Sequence, residues 1–486
     1  MRIFIGSHDM TQMTPQEYDQ LDGLAQADLV KKGEISSAEL LACAIAAAKK
    51  NADLNALTFE QYDESMEIAR NWTQRGVFGG IPFLLKDSGL PSTRFPSSIG
   101  SRLLEGTTYP INATLTKRFE EAGLIAFARS TVSELCMGPS TEAIRNGGPT
   151  LNPWDRTRSV GGSSGGAAAA VVAGIVPVAH GSDGGGSIRL PAASCGAYGL
   201  KPSRGRVPMG PLRGEGWGGM AVEGVLSRTV RDTAAAMDAI SGFEPGAPYS
   251  APPKAGSYLE LIQQPTPQRL RIGVWRHAWN DIEIAPECLA GIEYAVQLCR
   301  DLGHEIVEVP LPEIDYDGFV RAHGTALASN IVIAVDARLK LKGRALADDD
   351  IEDVIRDGYE VGKGLSATQY IDSVQRFHAI GRQIDTAMRD CDIVIATSLT
   401  QLPVKLGELA LTGGFWDFRK KVSRYATFLA VINASGQPAA SLPLTATPDG
   451  VPVGTQLIGR FGREDLVLSL SAQLEAAAPW FARRPG

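Results

Sequence analysis

The sequence predicts an α/β fold: a mixed, largely parallel, twisted sheet covered by helices on both faces, with a helical insertion. Three observations lead there. Short apolar strand-like runs alternate with helical stretches between residues 83 and 179, the pattern of a sheet with covering helices. Helix-forming sequence dominates residues 285–385, with charged faces such as Ala347–Arg356. The chain has 486 residues, 44% hydrophobic and 21% charged, enough for a deep core in one large domain or two.

The elements follow in order. Residues 22–32 and 36–50 read as helices. Ser36 and Glu39 have capping-box spacing, in which a hydroxyl serves the first-turn amides and a carboxylate returns to the cap N–H. Leu40, Leu41 and Ile45 supply the apolar stripe. A short strand at Ala56–Phe59 and a polar helix to about Trp72 come next. Gly79–Pro82 is a turn, and Phe83–Leu85 a buried strand ending at Lys86. A lysine there either snorkels to the surface or is buried with a lowered pKa. These residues alone leave both open.

Residues 112–122 form a helix and 124–128 a strand. Ser130–Met137 then leads into a loop of turn residues, GPSTEAIRNGGPTLNPWD, bordering a pocket. Ala167–Gly174 has a helix former at nearly every place, and Pro177–Ala179 is a central strand. Gly210–Gly224 presents Trp217 and Met220 on a flexible glycine-rich segment, either a lid or a plain surface loop. An amphipathic helix follows Leu226, and a proline-rich linker or excursion spans 243–270. Ile272–Trp275 and Ile393–Thr397 are strands. The 413–420 segment GGFWDFRK, a helix to Asn433 and a final strand and helix close the chain.

Composition narrows the function. Net charge is −7 with no lysine–arginine cluster, so an electrostatic footprint for nucleic acid is missing. Six scattered cysteines without a CxxC pair read as reduced thiols. The longest apolar run, Ala167–Ala179, is broken by Gly174 and Pro177 and is too short for a bilayer. MRIFIGSHDM lacks the apolar core of a signal peptide; residues 1–10 are set aside as a cloning remnant or disordered tail. The expectation is a cytoplasmic enzyme with no membrane partner.

The chemistry concentrates in SVGGSSGGAAAAVVAGIVPVAHGSDGGGSIRLPAASCGAYGLKPSRGR, residues 159–206. It holds two serines set in glycine, Ser163 and Ser187. Such glycine density is kept where unusual φ/ψ or close backbone approach is needed. Gly184, Gly185 and Gly186 can aim successive N–H groups at one point, which suits an oxyanion hole beside a serine nucleophile.

GGSSGG, SDGGGSIRLPA and CGAYGLKPSRGRV together resemble the signature of the amidase signature family, the Ser–cis-Ser–Lys amide hydrolases. The interval from Ser163 to Ser187 is the family's own. GGIPFLLKDSG resembles its lysine segment, and the likeness continues through STEAIRNGGPTLNPWD, GQPAASLP and GVPVGTQLIG. The resemblance implies Ser187 as nucleophile, Ser163 after a cis peptide from Gly162 as bridge, and Lys86 as neutral base. The amides of Gly184, Gly185, Gly186 and Ser187 would form the oxyanion hole, with Asp183 and Arg189 bracing the loop and no metal or cofactor. It also implies one domain over 11–486, with core 55–245 and 390–486 and a variable, mostly helical insertion of about 250–385. Met137, Gly138, Trp217, Phe415 and Trp416 are candidates for the substrate pocket, the aromatics suiting an apolar or aryl substrate. The expected partner is a small amide or carbamate, on a monomer or homodimer.

Other readings compete. Gly161–Gly165 formally fits G-x-S-x-G, the α/β-hydrolase elbow with Ser163 as nucleophile, but that motif needs a strand directly before the serine; Asn152–Arg156 is turn chemistry instead. His180, seven residues before Ser187, suits a satisfied structural histidine. No serine has lysine three residues on, so the S-x-x-K class drops out. Within the resemblance, the glutaminase subunit of the tRNA-dependent amidotransferase usually carries threonine where this chain has Gly184, and KPTYGRVSR where it has KPSRGRVPMG. Those departures favour a free-standing hydrolase like the family's nylon-oligomer, aryl-acylamide and urethane hydrolases, acting on small, apolar or aryl amides and on carbamate and ester carbonyls as well. A scaffold that only binds would have lost a catalytic residue, and all three are present.

Overall fold

The computed structural model describes residues 13–264 and 269–486; the ten-residue segment set aside above lies outside them. Eleven strands form one sheet among the described residues: β1 (Leu57–Thr58), β2 (Ile81–Lys86), β3 (Leu124–Ser130), β4 (Val178–Asp183), β5 (Tyr198–Lys201), β6 (Val222–Ser227), β7 (Arg271–Val274), β8 (Glu305–Val307), β9 (Ile393–Thr397), β10 (Ala439–Ala446) and β11 (Pro452–Gly459). Their order across the sheet is β1-β3-β2-β4-β6-β5-β10-β11-β9-β7-β8.

The expected mixed α/β architecture is what the chain forms, but parallel pairing is the smaller share. Only β3–β2, β2–β4, β9–β7 and β7–β8 are parallel; the other six neighbouring pairs are antiparallel. Connection length is the reason in the centre. A turn closed by Thr447 N–H to Val451 O, 2.9 Å, joins β10 to β11, and a link so short permits only an antiparallel pair. Strands β2, β5, β6, β9 and β11 are buried at every residue. Successive side chains point to opposite faces, so both faces are covered.

Local rules account for the helices. Ser36 Oγ accepts from Glu39 N–H at 3.2 Å while Glu39 Oε2 accepts from Ser36 N–H at 2.8 Å, the reciprocal cap expected at the start of Ser37–Lys50. The helix Gly165–Val172 is buried at all eight residues, which its glycine and alanine content allows beside the sheet.

Several boundaries move. β2 takes Ile81 and Pro82, read as a turn. β4 runs on to Asp183, and β6 claims Val222–Gly224 from the glycine-rich segment read as a loop. The 250–385 region contributes β7 and β8 to the common sheet, so its wholly helical part is Tyr316–Lys342, Asp353–Lys363 and Ala367–Ala387. The first of these is long and apolar enough to cross a membrane by length and composition, and 61% of its apolar window is buried in the molecule.

Candidate active site

β2 and β4 are parallel neighbours, with Leu84 opposite Ala179, so their carboxyl ends share one edge of the sheet. Crevices at such ends are where open α/β sheets bind ligands. Lys86 ends β2 and is fully buried. Its Nζ lies 2.8 Å from Ser163 Oγ, 2.8 Å from Ser182 Oγ and 3.3 Å from Ser182 O. Burial lowers its pKa from the usual lysine value, outweighing the charges of Glu223 and Asp183 that act the other way.

The strand behind it is held by a second chain of bonds. The Lys86 N–H donates to His180 Nδ1 at 3.1 Å, and His180 Nε2 lies 2.9 Å from Glu223 Oε2. With Nδ1 accepting, the ring proton sits on Nε2 and is given to Glu223. Both nitrogens of His180 are thereby engaged. Glu223 also pairs with Arg213.

Ser163 sits in a turn before the helix Gly165–Val172, with no strand leading into it, so the α/β-hydrolase elbow is not formed. The Gly162–Ser163 peptide is cis. Ser187 follows β4 by four residues and is 9% exposed. Its Oγ makes no hydrogen bond among the described residues.

Between them, Asp183 and Arg189 lock the glycine loop. Arg189 Nε and Nη2 each donate to the Asp183 carboxylate at 2.9 Å, a bidentate pair that is fully buried. Burial opposes the Asp183 charge, but Arg189 and Asn433 hold its pKa well below the usual carboxylate range. Arg189 also reaches Gln456 Oε1 and Asn433 Oδ1. Gly186, at φ +125°, donates its N–H to Asp183 Oδ1 at 2.8 Å. That corrects one expectation: the Gly186 amide braces the loop and is not free to face the cavity. The amides of Gly184, Gly185 and Ser187 have no acceptor among the described residues.

A cavity of about 220 Å³ is bordered by Ser163, Ser182 and Ser187 together with Met137, Trp217 and Ile333. Trp217 lies against Gly184 so closely that a Cβ there would meet the indole at 2.4 Å. A small annex of about 30 Å³ adds Gly138, Gly162, Gly185, His323 and Arg419. The other two proposed pocket aromatics lie elsewhere. Phe415 is 2% exposed and packs in a core cluster with Leu327 and Ile331, because its helix buries that face. Trp416, one residue on, turns outward and is 39% exposed. A larger cavity of about 700 Å³, near Tyr18 and Arg484, holds none of the candidate site residues.

Sequence reasoning missed Ser182, Asn433, Gln456, His323 and Arg419. Ser182 stands in SDGGGS, Gln456 in GVPVGTQLIG and Arg419 in GGFWDFRK, all segments the sequence had singled out, but their contacts at the site, like those of Asn433 and His323, come from tertiary packing. Among the described residues, no group of three or more His, Cys, Asp or Glu is placed to hold a metal ion.

Known proteins resemble this chain over most of its length. The Amidase family model matches residues 39–468. The 6-aminohexanoate-cyclic-dimer hydrolase of Paenarthrobacter ureafaciens is 36% identical over 490 residues, covering 96% of each chain. A solved structure of 6-aminohexanoate cyclic dimer hydrolase complexed with substrate superposes with a TM-score of 0.90 at 34% identity, covering 96% of this chain and 99% of that one. A bacterial aryl acylamidase of the amidase signature enzymes superposes with a TM-score of 0.83 at 27% identity, covering 95% of this chain and 97% of that one.

Proposed function

The chain belongs to the amidase family of hydrolases, and from that premise we propose that it cleaves small non-peptide amides through an acyl-enzyme on Ser187, with Ser163 as proton relay and Lys86 as base. One observation carries the reading: a buried lysine amine lies 2.8 Å from Ser163 Oγ, and Ser163 borders the same cavity as an unbonded Ser187 hydroxyl. A neutral amine has two N–H groups and one lone pair. Ser182 O and Ser182 Oγ can take the two N–H groups, which leaves the lone pair for the proton of Ser163.

Ser187 then attacks the carbonyl as its proton passes to Ser163 and that of Ser163 to Lys86. A serine needs such an adjacent base to become nucleophilic. The amides of Gly184, Gly185 and Ser187 receive the developing negative charge, each worth about 3 kcal/mol by analogy with measured oxyanion holes. The C–N bond breaks as the proton returns through Ser163 to the leaving nitrogen. Water then enters along the same path, gives its proton to Ser163 and releases the acyl group as a carboxylate.

The apolar border of Met137, Trp217 and Ile333 supports an apolar or aryl body on the substrate. The relatives named for a cyclic amide and for aryl acylamides point the same way. A carbamate offers the same carbonyl to the same groups, so aryl urethanes belong in the substrate range proposed. Trp217 fills the space that the side chain of an amidotransferase threonine would need at Gly184, which supports a hydrolase working without partner subunits.

The test is a panel of anilides, cyclic amides, primary amides and aryl carbamates. Wild-type enzyme alone should cleave several of them, and Ser187→Ala none, with unchanged thermal unfolding. A slowly cleaved carbamate should add the mass of its acyl group at Ser187. Turnover surviving Ser187→Ala would end the proposal.

A further inference from the structure

Beside Ser187 lies a cation without an anion. Arg419, on the helix Phe415–Tyr425, is 6% exposed and forms no ion pair among the described residues. Its Nη2 lies 3.1 Å from Nδ1 of His323, itself 4% exposed on the helix Tyr316–Lys342. A guanidinium only donates, so Nδ1 accepts and the histidine proton sits on Nε2. That Nε2 and the Arg419 Nε are both buried without any acceptor.

Two stranded donors and a full positive charge are costly inside a protein. Among the described residues no carboxylate pairs with them; the Tyr316 hydroxyl is the one group that favours the Arg419 charge, and Leu190, Leu327 and Val422 are apolar neighbours along the annex. Burial and the Arg419 charge together hold His323 far below its usual pKa, so the ring is a neutral donor. Local rules broken without internal compensation mark functional positions. Both residues border the annex that also borders Ser187 and Gly185, where the His323 ring edge would meet a Cβ on Gly185 at 3.1 Å.

We infer that Arg419 and His323 form a subsite for a carboxylate carried by the substrate a few bonds from the scissile carbonyl. This rests on the amide-hydrolase reading above. The annex, about 30 Å³, exceeds the roughly 10–15 Å³ that a single water needs and has room for one small group. A carboxylate supplies one oxygen to each donor and neutralises the guanidinium, and hydrogen bonds to ionised partners are the strong ones. The preferred substrates are therefore mono-amides of short dicarboxylic acids, and neutral amides occupy the main cavity with the annex left to water.

The experiment pairs each mono-anilide of succinic, glutaric and adipic acid with its methyl ester. At the favoured chain length wild-type enzyme should prefer the free acid by about tenfold or more in kcat/KM, a factor typical of one charge-assisted bond. In Arg419→Gln the acid-to-ester ratio should fall by about tenfold, mainly through KM, and Arg419→Lys should recover part of it. Glutarate or adipate alone should raise the unfolding temperature of the wild type and not of Arg419→Gln. Because the buried cation is unpaired, Arg419→Met should unfold no earlier than wild type, unlike a residue kept for stability. Equal rates for acid and ester at every length, a ratio unmoved by Arg419→Gln, or failure of both dicarboxylates to bind would overturn the inference, leaving water as the sole occupant. Loss of the amide-hydrolase reading shows separately, as esters and acids alike still cleaved by Ser187→Ala.

Discussion

Lys86 shows how one side chain links stability to chemistry. Its pKa is lowered by burial, so the folded protein gives up the lysine proton at a pH where the unfolded chain still holds it. Folding stability from this group therefore rises with pH between the folded pKa and the unfolded value of 10.5. Activity should follow the same direction: kcat rises along a single-proton acid limb and levels off below 10.5. Rates measured from pH 5 to 10 on a neutral anilide check this. Lys86→Met should lower kcat by about 10³-fold or more, by analogy with lost members of other serine triads, and should remove the acid limb. An acid limb unchanged in Lys86→Met would assign it to another group. Ser163 and Ser187 were legible from their glycine contexts, whereas the apolar run ending at Lys86 left its burial open and only the resemblance to the amidase signature family assigned it as base. The partners of Lys86 were not legible. Ser182 reaches the amine only because β2 and β4 run side by side, and no spacing along the chain encodes that.

At the scale of elements, the loop after β4 and the segment bearing Trp217 form one packed unit. Gly184 leaves no room for a side chain beneath the indole, and overpacking of this kind costs about 1–3 kcal/mol. Gly184→Ala should therefore lower stability and slow aryl substrates, while Trp217→Leu in the same chain should restore part of the stability. A double-mutant cycle on unfolding free energy measures that coupling; additive effects would separate the two positions. The alternation of apolar runs and helix formers did foretell most elements in their order. It failed where glycine is dense. Val222–Gly224 looked like loop because Gly214–Gly219 precede it, yet they pair with β4, Val222 opposite Asp183 and Gly224 opposite Gly181. Strand direction was also beyond the sequence, since pairing depends on which segments end up as neighbours.

Across the whole molecule, several carboxyls are held above the usual carboxylate range, Glu134 and Asp232 fully buried and Glu352 and Glu475 half-buried. Burial pushes Glu134 up to about 8 and Glu352 to about 7. Burial with the Asp22 charge raises Asp232 to about 7, and burial with the Asp232 charge raises Glu475 to about 7. Raised carboxyls hold protons in the folded state that the unfolded chain has released. Their stabilising contribution is complete below the unfolded range near 4 and is lost as pH climbs through 7 to 8, the reverse of Lys86. Thermal unfolding should fall in temperature from pH 6 to pH 9, and Glu134→Gln should make that fall shallower. A flat profile in the wild type would contradict the assignment. The base wants alkaline solution while the scaffold tolerates it poorly, so the working range lies between the two.

The sheet also determines how the molecules treat one another. Its outermost strands are stubs, two residues in β1 and three in β8, while its long strands are enclosed. A passing chain finds almost no open ladder of N–H and C=O groups to extend. Crowded solutions of this protein should therefore stay free of cross-strand fibrils until the fold itself gives way.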